Sequence, residues 1–280
     1  MRWFLALAAV CAYGQTFHTE PATAKQGGVI RVTAAPPAVS ARMLTRTIRL
    51  FPQAGGGNLG LMPVAADQEP GKFRLEILGA NGAVLNAAEV TVADAHFPEQ
   101  NVNLEPKIEA LKPAPGEIET VTAFRNTVSD VRHWQEPFTR PVAGCMSSPF
   151  GVKRLHNGKP TGNYHGGIDQ RSPAGQPIHV IADGVVRMVR EFNLNGNIVG
   201  VDHGQGVTSM YLHMSKFAVA EGAVVKKGDV AGHVGSTGRS TGPHLHWGVY
   251  VNGVAVNPAQ WIELRPCGAT THRKQHKGAI

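Results

Sequence analysis

Short apolar runs separated by glycine turns constrain the fold of this chain most strongly. From residue 141 onward the sequence contains runs such as PIHVIADGVVRMV, NIVGVDHG and VTSMYLHM, with almost no helical periodicity. Runs this short, interrupted this often by glycine, predict a compact antiparallel all-β domain. We place this domain at residues 141–266.

A second β-rich region comes earlier in the chain. In the run KFRLEIL, the apolar residues Phe73, Leu75 and Ile77 alternate with charged ones, which is typical of a strand with one buried face. Asn81-Gly82 follows this run and accepts the positive φ angles of a tight hairpin. We therefore expect residues 15–95 to form an immunoglobulin-like β-sandwich without the cysteine pair of true immunoglobulin domains.

The segment between these regions, residues 96–140, is predicted to be a linker that contains one amphipathic helix. Apolar residues in it recur at spacings of three and four, which predicts a helix over 115–134. The residues of this apolar stripe are Val121, Phe124, Val128 and Val131. The whole chain is thus expected to be mainly β, and its 280 residues suffice for two separate cores.

The first residues, MRWFLALAAVCAYGQ, carry one arginine before an apolar run from Trp3 to Tyr13 that is too short to span a bilayer. We expect residues 1–14 to be a cleaved export signal. Lipid attachment at Cys11 is the alternative, although Val10 is unfavourable before such a cysteine. No later run predicts stable membrane insertion, so we expect a location in the periplasm or outside the cell.

Two cysteines follow the signal, Cys145 and Cys267, in a chain expected in an oxidising compartment. A disulfide between them would join the two ends of the 141–266 domain. The alternative, two thiols too far apart to meet, stays open at this point.

The net charge of +7 raises the question of an anionic partner. The basic residues are scattered except in the tail 267–280, and an export signal argues against a nucleic-acid partner. Anionic polymers of the cell envelope would be attracted by the same charge.

Histidine and aspartate residues in the all-β region have spacings that suit a metal ion. His165 and Asp169 in YHGGIDQ are four apart, and His244 and His246 in HLHWG are two apart. An even offset places both side chains on one face of an extended strand. Each pattern alone is weak, but both occur in one domain, where His213 ends another run.

A catalytic zinc site has three protein ligands and keeps a fourth position for water. Histidine nitrogen and aspartate oxygen are ligands that zinc accepts. The spacing leaves open which histidine is the third ligand and which one moves protons.

These stretches together resemble the zinc metallopeptidase domain of family M23, the lysostaphin or LytM type, which cuts peptides of bacterial peptidoglycan. The matching stretches are SSPFGVKRLHNG, HGGID, GNIVGVDHGQGVTSMYLHM, VKKGDVAGHVGSTGRSTGPHLHWGV and NGVAVNP. The resemblance implies a LytM-type β domain, one Zn²⁺ per chain and peptidoglycan stem peptides as substrate. Residues 20–140 resemble, more faintly, the β-rich amino-terminal domain and helical connector of a secreted subgroup.

The resemblance also assigns the site residues. It implies that His165, Asp169 and His246 bind the zinc ion, and that His213 and His244 face the attacking water and the scissile carbonyl. From the chemistry we expect His244 to act as general base and His213 to stabilise the oxyanion, although these two roles could be exchanged.

Two other functions are kept as alternatives. A non-catalytic LytM-like regulator that activates cell-wall amidases would not need all five residues. A biotinyl or lipoyl carrier, suggested by AEGAVVKKGDVAG, would need none of them. The resemblance favours an endopeptidase that cuts bonds between D-alanine and diaminopimelate.

Overall fold

A computed structural model describes residues 16–264, 266 and 267 of the chain. The expected signal at 1–14, with Cys11, lies outside the described residues, as does all of the basic tail beyond Cys267. In the described part of the chain, the helices are too short or too polar to cross a membrane.

The amino-terminal region forms two β-sheets that face each other. The first sheet has the order β1-β3-β7-β6, and the second has the order β2-β9-β8-β4-β5. Their strands are β1 (Phe17–Glu20), β2 (Thr23–Lys25), β3 (Val29–Ala34), β4 (Ser40–Met43), β5 (Arg46–Arg49), β6 (Phe51–Pro52), β7 (Asn58–Pro63), β8 (Gly71–Leu78) and β9 (Val84–Ala93).

Side chains from both sheets meet in one core. Ile30 and Val32 of β3 are buried together with Leu75 and Ile77 of β8, as the alternating pattern predicts. The predicted hairpin is also present: β8 and β9 pair antiparallel, and Gly82 between them has a φ of +77°. The two-layer β architecture is therefore observed, while its immunoglobulin-like subtype stays a prediction.

The carboxyl-terminal region is built around one large antiparallel sheet. Its order is β11-β14-β22-β18-β17-β16-β20, with β23 beside β22. The strands of this region are β10 (Glu99–Val102), β11 (Met146–Ser148), β12 (Lys153–His156), β13 (Lys159–Tyr164), β14 (Ile168–Arg171), β15 (Pro177–His179), β16 (Gly184–Phe192), β17 (Gly196–Gly204), β18 (Val207–Met214), β19 (Lys216–Phe217), β20 (Val224–Val225), β21 (Val230–His233), β22 (His244–Val251) and β23 (Val254–Val256).

Two smaller sheets, β10-β12-β13 and β15-β21-β19, flank the large one. Ile168, Tyr211 and Trp247, from three neighbouring strands, are fully buried in the same core. The glycine-punctuated pattern therefore predicted the all-β class of this region correctly. A 3₁₀ turn, Pro258–Gln260, follows the last strand.

The connecting segment is more structured than a linker. Its first part, β10, pairs in parallel with β12, so it completes a sheet of the carboxyl-terminal region. Two helices follow, α1 (Pro106–Glu109) and α2 (Glu117–Arg125).

The helix predicted over 115–134 is correct in place but wrong in length. Val121 and Phe124 are buried, whereas Val128 and Val131 lie beyond the end of α2 and are exposed. After α2 the chain makes backbone hydrogen bonds to the large sheet. Gln205 N–H donates to the carbonyl of Ser129, and His133 N–H donates to the carbonyl of His203. These contacts require an extended chain, which ends the helix.

The two regions pack directly against each other. Leu61 of β7 belongs to the core of the carboxyl-terminal region, and its carbonyl accepts a hydrogen bond of 2.8 Å from Asn252 Nδ2. Phe150 lies against Gly27, whose φ of +78° and lack of a side chain permit the contact.

The cysteine pair forms the expected disulfide. Cys145 and Cys267 have their Cα atoms 5.0 Å apart and are bonded, at a sequence separation of 122. Cys267 N–H also donates to the carbonyl of Met146 at 2.9 Å. The bond joins the beginning and the end of the carboxyl-terminal region.

Candidate metal centre

Three adjacent strands of the large sheet bring the candidate residues together. In the antiparallel pair of β14 and β22, Asp169 lies directly opposite His246. On the other side of β22, Leu212 of β18 faces His246, so that His213 arrives one residue later. His165 precedes β14 and enters the same space. The spacing of two thus places His244 and His246 together on β22, whereas His165 reaches the same space from outside β14 and not from an extended strand.

Ligand atoms of three side chains converge on one point. His165 Nε2 lies 3.1 Å from Asp169 Oδ1, and His246 Nδ1 lies 2.8 Å from the same oxygen. The two histidine nitrogens are 3.0 Å apart. Tetrahedral zinc, with bonds of about 2.0–2.1 Å, requires ligand atoms roughly 3.3 Å apart. The donor set His, Asp and His, at these distances, therefore fits a zinc ion.

The hydrogen bond of His165 fixes which nitrogen faces this point. Its Nδ1 lies 2.8 Å from the carbonyl oxygen of Pro149. A carbonyl only accepts, so Nδ1 carries the proton and Nε2 presents a lone pair. A metal ligand needs that lone pair.

Arg154 holds the carboxylate of Asp169 from the opposite side. Arg154 Nη2 donates to Asp169 Oδ2 at 2.7 Å and to Ser148 Oγ at 3.1 Å. Ser148 Oγ in turn donates to Gln100 Oε1 of β10 at 2.7 Å. Burial alone would raise the pKa of Asp169, but charge and hydrogen bonds from His165 and His246 outweigh it and hold the pKa well below its usual value.

His213 and His244 lie beside the three ligand residues, with ring centroids 5.1 Å apart. His244 Nδ1 donates to the carbonyl of Gly242 at 2.8 Å, and His213 Nδ1 donates to that of Thr237 at 2.8 Å. In its neutral form, each ring therefore presents a lone pair at Nε2. His244 Nε2 is 3.9 Å from Asp169 Oδ1.

Burial sets the charge state of two of these histidines. It lowers the pKa of His213 to about 3, assisted by the neighbouring His246 and His244. Burial likewise lowers the pKa of His246 to about 4, against the opposing effect of Asp169. Both rings are accordingly neutral at pH 7, the form in which histidine binds a metal or accepts a proton.

The backbone at His213 is strained. Its φ is +60°, in a region that non-glycine residues rarely adopt. His213 N–H donates to the carbonyl of Asn195 at 3.1 Å, outside the regular ladder of β18. The local turn directs the ring toward His244 and His246.

Glu117 supports this region, and sequence reasoning missed it. Its buried carboxylate accepts hydrogen bonds from the N–H groups of Asn193, Leu194 and Asn195, at 2.9–3.2 Å. The helix α2 thereby holds the loop at 193–195, whose Asn195 carbonyl accepts a hydrogen bond from His213 N–H. Burial raises the pKa of Glu117, but bonds from Ala114, Asn195 and Leu194 outweigh it and leave the pKa lowered.

Three further polar residues of this domain, Asn157, Asn197 and His203, have structural contacts. The side chain of Asn157 makes hydrogen bonds to the backbone N–H and carbonyl of Leu104, and so attaches the connecting segment to the carboxyl-terminal region. Asn197 contributes its backbone N–H to Thr237 Oγ1. His203 is fully buried, with Nε2 2.8 Å from Ser209 Oγ.

Two open cavities adjoin the candidate ligands. One, of about 410 Å³, contains all five candidate residues in its lining, together with Tyr164, His156 and Arg239. The other, of about 570 Å³, is lined by residues that include Gln100, Arg171 and His244. Arg154, Asp169 and His244 line both cavities, which therefore form one groove across the site.

Fold and site together define a β domain with a candidate His-Asp-His metal site. Residues 163–258 match peptidase family M23. A crystal structure of a peptidase M23 from Pseudomonas aeruginosa is similar to this chain, with a TM-score of 0.66 and 31% identity, over 85% of this chain and 93% of that one. The chain belongs to peptidase family M23.

Two curated relatives are similar over the carboxyl-terminal region. The DD-carboxypeptidase/endopeptidase Mpg of Neisseria meningitidis is 48% identical over 113 residues, and the peptidoglycan DD-endopeptidase ShyA of Vibrio cholerae is 42% identical over 112 residues. Each match covers 40% of this chain and 26% of the relative.

Proposed function

We propose that this chain is an exported zinc endopeptidase that hydrolyses peptide cross-links of bacterial peptidoglycan, of the D-alanyl-diaminopimelate type. The observation that carries the proposal is the convergence of His165, Asp169 and His246 beside His213 and His244 in an open groove. The DD-endopeptidase names of the relatives support the choice of bond. Export is supported by the apolar run at 3–13 and by the disulfide.

The three converging residues would hold the zinc ion. When bound, zinc polarises a carbonyl and lowers the pKa of water at its open position. Arg154 keeps Asp169 Oδ1 turned toward the site by holding Oδ2, and the Pro149 carbonyl keeps the lone pair of His165 there.

His244 fits the role of general base. Its Nε2 lone pair faces the groove, and the resulting imidazolium would lie near the Asp169 carboxylate. In the proposed reaction the water oxygen bonds to the scissile carbon while His244 Nε2 takes the water proton. His244 then gives this proton to the leaving nitrogen as the C–N bond breaks.

In the proposed reaction, neutral His213 would not stabilise the oxyanion. That role needs a proton on Nε2, but the ring's proton is on Nδ1, donated to Thr237, and burial disfavours a second one. We propose instead that His213 accepts a hydrogen bond from the attacking water and orients it. It would become an oxyanion donor only after receiving a proton.

Digestion of purified sacculi tests this function. The mature, zinc-loaded protein is expected to release peptides cut between D-alanine and diaminopimelate, identified by mass spectrometry. H246A and H244A are expected to release none, whereas H96A, which changes an exposed histidine of the connecting segment, serves as the matched control. Failure of the unchanged protein on every cross-linked wall would favour the non-catalytic regulator.

A further inference from the structure

The groove is cationic on both sides of the site. Three guanidinium groups line it, those of Arg154, Arg171 and Arg239. Asp169 is the one acidic residue, among those described, in the lining of either cavity. Both its oxygens are already engaged, Oδ1 by His165 and His246 and Oδ2 by Arg154. The groove therefore has positive charge available for a ligand.

Arg239 is the arginine whose charge is least satisfied within the cavity that holds all five site residues. Its guanidinium makes one hydrogen bond to the described residues, from Nη2 to the carbonyl of Leu111 at 3.2 Å. This bond holds the side chain in place but does not neutralise it. No carboxylate of the described residues forms an ion pair with it, whereas Arg154 has one with Asp169.

The positive charge of Arg239 affects the pKa of a neighbouring histidine, His156. The pKa of His156, which lines the same cavity, is lowered by burial and further by the charges of Arg239 and Arg154. Glu109, the carboxylate that opposes this effect, accepts a hydrogen bond from Asn157 Nδ2 and does not line the cavity. Arg239 and Arg154 thus make the lining of this cavity positive.

The chemistry of a DD bond supplies a matching anion. Such a bond joins the carbonyl of D-alanine to the amine of a second D-configured centre. That centre carries a free carboxylate on the carbon attached to the scissile nitrogen. The carboxylate therefore lies two bonds from the nitrogen that His244 would protonate, which places it in the groove beside the catalytic histidines.

We propose that Arg239 binds this carboxylate and makes the enzyme selective for substrates that carry it, an inference that rests on the proposed function. Arg171 lies opposite His244 in the pair of β14 and β22 and lines the other cavity with it, but its side chain is exposed to solvent, which screens its charge, so it is the less suitable partner. An arginine that binds this carboxylate would recognise both cross-links and terminal D-alanyl-D-alanine, since both have a carboxylate next to the scissile nitrogen.

Two substrates that differ in one group test the proposal. One is a D-alanyl-diaminopimelate cross-linked peptide with a free carboxylate next to the scissile nitrogen, and the other has a carboxamide there. The unchanged enzyme is expected to prefer the carboxylate by about 10- to 100-fold in kcat/KM, the range of a charged hydrogen bond. R239Q is expected to lose this preference through slower cleavage of the carboxylate substrate alone.

The controls separate recognition from structure. R239K keeps the charge and is expected to keep part of the preference, while R140Q, at an exposed arginine that lines neither cavity, should keep all of it. Equal losses of R239Q on both substrates would overturn the proposal, as would the lack of any preference in the unchanged enzyme.

Binding decides the matter independently of turnover. Both peptides are titrated by fluorescence anisotropy into zinc-loaded H244A and into H244A/R239Q. The proposal requires tighter binding of the carboxylate peptide by H244A and equal binding of both peptides by the double variant. If the enzyme cleaves neither peptide but this difference holds, the proposed reaction fails while the carboxylate site stands; equal binding by H244A would overturn the site.

Discussion

Asp169 and His246 lie directly opposite each other on antiparallel strands β14 and β22, with Oδ1 and Nδ1 2.8 Å apart. The pairing register therefore delivers two ligand atoms to one point without help from a flexible loop. Rigid strands hold such atoms more precisely than loops do. A shift of one residue in register would turn one of the two side chains to the opposite face of the sheet.

Arg154 is expected to set the zinc affinity. R154A frees Asp169 Oδ2 and lets the carboxylate turn, so the Kd for zinc should rise about 10- to 100-fold. Competition with a fluorescent chelator measures this Kd. Activity should recover at saturating zinc. An unchanged Kd in R154A, with R140A as matched control, would show that Arg154 does not position the ligand.

Glu117 is expected to stabilise the loop that holds His213. E117Q replaces a carboxylate that accepts several N–H groups, and should lower the free energy of unfolding by about 1–3 kcal/mol. E119Q, at an exposed position of the same helix, is the matched control. Urea unfolding at pH 7 measures both.

The Glu117 contribution has a defined pH dependence. The pKa is lowered in the folded protein, so the stabilisation is complete above the ordinary value of 4.5 and is lost as pH falls through the folded value. The difference in stability between the unchanged chain and E117Q should therefore shrink below about pH 4.5. A difference that grows on acidification would contradict the assignment.

His203 is expected to make the fold acid-sensitive. Burial lowers its pKa from 6.5 to about 4, so between these values the unfolded chain binds a proton that the folded chain does not. The chain should lose on the order of 3 kcal/mol from this group as pH falls from 7 to 4. H203Q cannot titrate and should lack this part of the slope, as measured by urea unfolding across this range. Identical slopes would refute the burial argument.

The disulfide is expected to stabilise the carboxyl-terminal region. Because 122 positions separate the two cysteines, loss of the bond should cost about 4–5 kcal/mol in the chain-entropy account. The C145S/C267S double variant removes it without leaving a free thiol. Calorimetric unfolding compares this variant with the unchanged protein. A loss below about 1 kcal/mol would indicate that the unfolded chain is already compact.

The sequence predicted the parts of the site that depend on local spacing. His-x-His carries its geometry in the period of a strand, and both of its histidines lie in β22, whereas His165 lies before β14 and reaches Asp169 from outside the strand. Spacing alone therefore identifies two candidate pairs, His165 with Asp169 and His244 with His246. Glycine turns and alternating apolar residues likewise predicted both β regions.

Contacts between distant segments could not be predicted in this way. Glu117 reads as an ordinary residue of a polar helix face, and only the packing of α2 against the loop at 193–195 shows its role. The connecting segment has prolines typical of a linker, yet Gln100 reaches Arg154 through Ser148. The length of the helix was overestimated because Val128 and Val131 follow the helical period by coincidence. Beyond Asn126, backbone hydrogen bonds to the large sheet hold the chain in an extended conformation.

The central claim, one zinc ion held by His165, Asp169 and His246 and required for hydrolysis, is tested most directly by metal titration. Chelator-treated protein is supplied with increasing zinc, and cleavage of a D-alanyl-diaminopimelate peptide is measured at each step. Activity should rise from zero in proportion to zinc and level off at one ion per chain, and H246A should stay inactive throughout. Full activity of the metal-free protein, or of H246A, would contradict the account.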